Sequence, residues 1–177
     1  MKYAFELFED TLSWLRNNYS NFRFFTERDV VWTVQTQLAK QIGEGGLPFK
    51  VFNDYPMLKG NRRSLSADLA ILNAEGSVEA AIEFKYEPSH KRGGIDILNQ
   101  KFPVVIWSDV CKDVDRIHEF ISQGKAQHAY AVFIDEGGYF CKRSAYVRSK
   151  WLQWVQNDGV WLLYAHAASS TTTPSLS

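Results

Sequence analysis

Three charged side chains lie within two apolar segments of the chain. Asp68 falls in LSADLAILN, and Glu83 and Lys85 fall in VEAAIEFKYE. A charge in an apolar strand costs free energy unless it is paired or binds a ligand. Two carboxylates with small neighbours can hold a divalent cation through oxygen, and a nearby lysine could orient or deprotonate a water molecule or neutralise developing charge. These residue types indicate metal-assisted hydrolysis.

The predicted strand register brings the two carboxylates together. Alternate residues of a strand share a face, and matching the apolar faces of the two strands around a turn at Glu75–Gly76 places Asp68 opposite Glu83. Opposed Cβ atoms lie roughly 4.5–5.5 Å apart, where like charges repel. Two alternatives stay open: the charges face water on a solvated sheet, or a three-residue loop with a bulge shifts the alignment.

The surrounding sequence predicts the elements that position these residues. A first helix is expected at residues 2–18, and a short tryptophan-rich helix at about 150–157. A second helix is expected from an N-cap at Thr26, with Asp29 in a capping box, to the glycines at 43, 45 and 46. A third is expected from an N-cap at Asp109 to Gly124. Strands are expected at 49–58 (cut short by Pro56), at the two segments above, at 129–134 and at 160–167, whereas 102–107 is either a short strand or an extended lead-in. The fold class is therefore α/β, with a central mixed sheet and flanking helices.

Length, charge and cysteine content limit the classes of function. The 177 residues predict one domain over 1–167, followed by a disordered tail over 168–177. Acidic and basic residues are equal in number, so the chain has no net positive charge to attract nucleic acid. A nucleic-acid partner would therefore need a local basic patch. Cys111 and Cys141 are expected to be free thiols. With an acidic N-terminus and no long apolar run, they predict a cytoplasmic protein without a membrane partner.

Asp68, followed fifteen positions later by Glu83-Phe84-Lys85 on the next strand, resembles the PD-(D/E)xK nuclease superfamily, over roughly residues 26–135. Ala67 stands where the name of the motif has proline. The resemblance implies a restriction-endonuclease-like core, helix–three strands–helix–strand, and a nuclease that hydrolyses phosphodiester bonds of DNA. It implies Mg²⁺ as cofactor, with Mn²⁺ as a substitute. It also implies that Asp68 and Glu83 are metal ligands and that Lys85 serves the attacking water.

Further residues are candidates for the same site. Many members of the superfamily use an acid on the first core helix, and Glu27 lies on the apolar stripe of the second predicted helix; its alternative role is a favourable charge in the first helical turn. Two basic loops flank the hairpin and could contact phosphate: Lys59, Arg62 and Arg63 before it, and His90, Lys91 and Arg92 after it. Cleavage of both strands of a duplex would favour a homodimer. The rival function is a nuclease-like fold that binds nucleic acid or protein without turnover.

Overall fold

A computed structural model describes residues 2–58, 65–91, 102–155 and 159–169 of the chain. Within these ranges it contains three α-helices, a short 3₁₀ helix at Tyr19–Asn21 and six strands. The helices are α1 (Ala4–Asn18), α2 (Glu27–Gly45) and α3 (Trp107–Ser122). The strands are β1 (Lys50–Leu58), β2 (Leu65–Leu72), β3 (Val78–Glu87), β4 (His128–Glu136), β5 (Ser149–Val155) and β6 (Val160–Ala168). The predicted α/β class and mixed sheet are confirmed.

The six strands form one sheet in the order β1-β2-β3-β4-β6-β5. The strands β3 and β4 are parallel, and every other neighbouring pair is antiparallel. The parallel pair needs a crossover connection, and α3 supplies it. The sheet therefore places β3, which carries Glu83 and Lys85, between β2 and β4 in its interior.

Both faces of the sheet are covered by helices, but the two layers pack differently. On one face, α1 and α2 bury large side chains such as Phe8, Leu38 and Phe84. On the other face, α3 packs Ile117 and Phe120 against small residues. This small-residue surface, the alanine floor, consists of Ala81, Ala129, Ala131, Ala165 and Ala167. Because alanine side chains are short, α3 can lie close to the sheet and to the charged residues of β3.

The predicted hairpin register is confirmed over the half of the hairpin next to the turn, whereas the predicted pair Asp68–Glu83 is not part of the backbone ladder among the described residues. Leu69 pairs with Ile82 and Ala70 with Ala81, as expected. The chain reaches this register by an unexpected route, because a loop closed by the amide of Asn73 and the carbonyl of Ser77 is followed by a register shift next to Leu72. The bulge and the loop compensate for each other, so the alignment beyond them is kept.

The structure corrects two expectations about where elements begin and end. Pro56 does not end its strand: it pairs with Ser66 inside β1, which is an edge strand and therefore tolerates a residue without an N–H. Helix α3 begins at Trp107 with Ile106 as its N-cap, so Asp109 lies in the first turn rather than at the cap. The ring of Trp107 stacks on Phe140, and this packing accompanies the earlier start of the helix.

The described part of the tryptophan-rich segment predicted as a helix at about 150–157 is strand β5, paired with β6, and residues 156–158 lie outside the described ranges. Trp151 and Trp154, three residues apart, contact different sides of the sheet: Trp151 packs near Phe133, and Trp154 packs near Tyr19. In a sheet covered on both faces, apolar residues at this spacing are buried in a strand as well as in a helix.

The remaining boundaries agree closely with expectation. The Thr26–Asp29 capping box opens α2, and Gly46 in the left-handed conformation closes it; Gly43 and Gly45 lie inside the helix. Segment 102–106 is a lead-in without strand pairing. Strand β6 extends through Ala168, and residues 170–177 of the predicted tail lie outside the described ranges. No helix of the described residues is both long and apolar enough to cross a bilayer.

Candidate active site

The strands β2 and β3 diverge at the position of Asp68. Their backbone pairing, within the described residues, runs no further than Leu69 with Ile82, whereas β3 stays paired with β4 as far as Glu87. At this point the side chain of Asp68 accepts a hydrogen bond from the backbone N–H of Phe84 at 2.6 Å. A carboxylate thus replaces the missing ladder bond and satisfies a donor inside the protein. We call this divergence the strand fork.

Lys85 connects carboxylates from two helices at the strand fork. Its ammonium nitrogen lies 3.3 Å from Oε2 of Glu27 on α2 and 3.1 Å from Oδ2 of Asp113 on α3. The same nitrogen donates to the carbonyl oxygen of Phe84 at 2.9 Å. The predicted inward position of Glu27 is confirmed by this contact. Because α2 and α3 cover opposite faces of the sheet, Lys85 spans the fork from one layer to the other.

Glu83 is buried beside these groups, with only 2% of its surface exposed. Its Oε2 accepts a bond from Nη1 of Arg116 at 3.2 Å, and the same nitrogen lies 3.2 Å from Oδ1 of Asp113. Its second oxygen, Oε1, is buried and has no hydrogen-bond partner among the described residues. The burial of Glu83 excludes the alternative in which these charges face water.

Burial dominates the electrostatics of this carboxylate cluster, which comprises Glu27, Asp68, Glu83 and Asp113. Desolvation raises the pKa of all four carboxyl groups, to about 7 for Glu27 and well above the ordinary value for Glu83. Burial alone would lower the pKa of Lys85, but the nearby carboxylates Asp113 and Glu27 outweigh it, and the pKa of the lysine is raised. Lys85 is therefore charged at neutral pH.

A small polar cavity opens beside the cluster. It has a volume of about 110 Å³, and its lining includes Glu27, Asp68, Asn53 and Asp54. Asp54 has a φ of 48°, a left-handed conformation that aspartate adopts more readily than most residues. The cavity is large enough for several water molecules, since one needs about 10–15 Å³ of such space. It gives solvent and small ions a route to Glu27 and Asp68.

The structure brings together the four residues predicted as catalytic, Glu27, Asp68, Glu83 and Lys85, but only part of the predicted phosphate contacts is described. Lys59, Arg62, Arg63 and Arg92 lie outside the described residues. Lys91 is exposed. His90 stacks on Tyr139 with a centroid distance of 3.6 Å, and its Nε2 lies 2.6 Å from Oε1 of Glu87. These contacts give His90 a packing role, and its contact with phosphate stays a prediction.

Two residues of the site were missed from the sequence, Asp113 and Arg116. Both lie on α3, three residues apart, and both contact the charged face of β3. The signal was present: Asp113 lies between Val110 and Val114 on the apolar stripe of the helix, where a charge needs a partner. The partner is identified only by the tertiary fold, because α3 and β3 are far apart in the chain.

The donor chemistry of the cluster fits a hard divalent cation such as Mg²⁺. Its carboxylates outnumber the cations Lys85 and Arg116 by two, and one oxygen of Glu83 is buried without a partner. Among the described residues, no three His, Cys, Asp or Glu side chains are grouped to hold a metal ion by themselves. Mg²⁺ commonly uses only one or two protein carboxylates and completes its shell with water and phosphate oxygens. Asp68 and Glu83 would be those two ligands.

Comparisons with known proteins do not assign this site. Neither the scan against protein-family models nor the search of curated proteins finds a match for the chain. The function is therefore inferred from the residues, their geometry and the resemblance of their motif.

Proposed function

We propose that the chain has a restriction-endonuclease-like core and is a Mg²⁺-dependent nuclease that hydrolyses phosphodiester bonds of DNA. The observation that carries this proposal is the position of Lys85. Its ammonium group lies between Glu27 and Asp113, and Lys85 is on the same strand as Glu83, at the fork where Asp68 accepts the backbone N–H of Phe84. The order α2, three strands, α3 and β4 supports the same core.

The pKa directions support a division of roles within the site. Lys85 keeps its proton at neutral pH, so it is suited to orienting water or neutralising charge on phosphate rather than to accepting a proton. The carboxyl of Glu27, with a pKa of about 7, is suited to accept the proton of an attacking water. A cation held by Asp68 and Glu83 would supply a lowered pKa of bound water and neutralisation of developing charge.

The proposal is tested by cleavage of plasmid and single-stranded DNA in Mg²⁺ and in EDTA. We expect wild type to cleave DNA in Mg²⁺ but not in EDTA. The cleavage rate in Mg²⁺ should fall about 100-fold or more in both Asp68→Asn and Lys85→Ala. Asp10→Asn is the matched control, because Asp10 is exposed and pairs only with Lys2 in the structure as described. Circular dichroism checks that each variant is folded. Cleavage that is unchanged in both site variants would show that the site is assigned wrongly.

A second candidate function is nucleic-acid or protein binding without turnover. The observation that favours it is the internal pairing of the cluster, in which Arg116 contacts both Glu83 and Asp113 and Lys85 contacts two carboxylates. Titration of Mn²⁺ by calorimetry separates the two functions. Binding by wild type and not by Asp68→Asn supports the nuclease, whereas no cleavage and no metal binding, with or without DNA, supports the binding module.

A further inference from the structure

Trp32 is exposed on α2, next to the candidate active site. The Trp32 residue is 52% exposed to solvent. It is not part of the buried face of α2, which consists of Val30, Val31, Val34 and Leu38. Arg28, one turn earlier, places its guanidinium carbon 5.8 Å from the centre of the Trp32 ring. A ring that is exposed to this extent contributes little to the core, and exposed aromatic rings beside arginines can stack on the bases of single-stranded nucleic acid.

Trp32 lies at the border of two cavities. On one side it lines the 110 Å³ cavity that contains Glu27 and Asp68. On the other side it lines a groove of about 600 Å³, which runs past Trp14 of α1 and the segment between α1 and α2. This volume is within the roughly 300–1,000 Å³ typical of ligand sites. A ligand could therefore occupy the groove and reach the carboxylate cluster at the same time.

The walls of the groove are mainly aromatic, with one basic and one acidic side chain in the lining. Trp14 and Phe22 meet edge to face at 5.6 Å, and Phe22 stacks on Phe24 at 5.4 Å. Arg23 contributes a cation to the lining. Asp29 also lines the groove, but its Oδ2 accepts the backbone N–H groups of residues 25 and 26, each at 2.9 Å. Flat rings beside arginines match the nucleobases and phosphates of a single strand.

We propose that this groove, which we call the aromatic groove, binds unpaired nucleobases of a nucleic-acid strand, with Trp32 as the stacking platform and Arg28 on the adjoining phosphate. The position of the phosphate rests on the proposed function; the stacking does not. A base inside a duplex is covered on both faces by its neighbours, so a stacking platform selects a single-stranded or frayed segment. The proposal thus names the substrate class: DNA with unpaired bases beside the scissile bond.

The experiment measures binding in EDTA, where no metal-dependent cleavage can occur. A fluorescently labelled single-stranded DNA oligonucleotide, the same sequence as RNA and its blunt DNA duplex are titrated with protein. We expect Trp32→Ala to weaken binding of single-stranded DNA about 5- to 150-fold, the range for loss of one stacked base, and to leave duplex binding nearly unchanged. Trp32→Phe, which keeps a ring, should recover most of the affinity. Tyr3→Ala is the matched control, because Tyr3 is 53% exposed and lies outside the groove.

The outcomes separate this inference from the proposed function. If binding of single-stranded DNA depends on Trp32, the aromatic groove is supported as the binding site, whether or not the protein cleaves DNA. If cleavage is absent in that case, the function is nucleic-acid binding without turnover. Cleavage that requires Asp68 and Lys85, with single-strand affinity unchanged in Trp32→Ala, overturns the groove and leaves the nuclease. Equal losses for single strand and duplex would also overturn it, since stacking would then not distinguish unpaired bases. Tight binding of RNA alone would overturn the assignment to DNA.

Discussion

Lys85 is held between carboxylates that come from opposite layers of the protein. Glu27 reaches it from α2 and Asp113 from α3, at 3.3 and 3.1 Å. If the lysine is replaced by a neutral residue, the partly buried carboxylates lose their counter-charge. The free-energy cost of these unpaired charges exceeds the net contribution of the ion pairs to stability. We expect Lys85→Met to lower the free energy of unfolding at pH 8 by about 3 kcal/mol, measured by urea denaturation. The loss should shrink towards pH 5, as the two carboxyl groups bind protons.

A matched control for this prediction is Lys112→Met on α3. Lys112 also pairs with a carboxylate, Asp109 at 2.8 Å, but both side chains are exposed. Exposed pairs contribute roughly 0–1 kcal/mol, so this variant should remain close to wild type. Equal losses in the two variants would show that Lys85 is no more important to the fold than a surface lysine.

Glu27 connects the stability of the protein to pH. Burial raises its pKa from the ordinary 4.5 to about 7 in the folded state. Between these two values the folded state binds more protons than the unfolded state, so this group makes stability fall as pH rises. We therefore expect Glu27→Gln to become more stable relative to wild type from pH 4.5 to pH 7, and the difference to level off above that range.

Urea denaturation of Glu27→Gln at a series of pH values tests this dependence. Glu44→Gln, an exposed position near the end of the same helix, serves as the control and should leave the pH profile unchanged. A stability difference that is constant from pH 4.5 to 7 would contradict the raised pKa. The two residue-scale predictions share one physical basis: the ionised carboxylates of the site reduce the stability of the folded state, and the positive charge of Lys85 partly offsets this cost.

At the scale of the elements, the alanine floor determines how closely α3 approaches the sheet. Ala129 is fully buried on β4, and its neighbours in the sheet are Ala81 and Ala167. A larger side chain here has no space and must displace the helix that carries Asp113 and Arg116. We expect Ala129→Leu to lower the free energy of unfolding by about 1–3 kcal/mol, as overpacking does in other cores. Thermal or urea denaturation measures the change.

The control for this prediction is Ala39→Leu, an exposed position of α2. It adds the same atoms to a surface where nothing crowds them, and the change should be within about 0.5 kcal/mol. An unchanged stability in Ala129→Leu would show that the layer between α3 and the sheet can expand, and that the positions of Asp113 and Arg116 do not depend on close packing.

The elements also show which parts of the structure the sequence could predict. The hairpin register followed from local information, because the apolar faces of two adjacent strands allow one alignment of Leu69 with Ile82. Strand β5 did not, because its tryptophans at 151 and 154 pack on different sides of a sheet that only the whole fold assembles. The site shows the same division. Motif and helix periodicity identified four candidates in the sequence: Glu27, Asp68, Glu83 and Lys85. Asp113 and Arg116 were recognised only when the fold placed α3 beside β3.

At the scale of the whole molecule, the absence of net charge makes local patches decisive. Twenty basic and twenty acidic residues give no long-range attraction to a polyanion. Binding of nucleic acid must then depend on a few contacts, and the slope of log K against log salt counts them, at roughly 0.9 per phosphate contact on duplex DNA. Arg62 and Arg63, predicted from the sequence as phosphate contacts, should each contribute one such contact.

We therefore expect the double variant Arg62→Gln/Arg63→Gln to reduce the magnitude of the salt slope for duplex DNA by about 1.8, measured by fluorescence anisotropy in EDTA at a series of salt concentrations. Lys40→Gln/Lys142→Gln removes the same total charge from exposed positions and is the matched control. It has the same net charge as Arg62→Gln/Arg63→Gln but keeps both predicted phosphate contacts, so it should keep the wild-type slope. If both double variants reduced the slope equally, the net charge of the molecule, and not phosphate contacts of Arg62 and Arg63, would determine how strongly it binds nucleic acid.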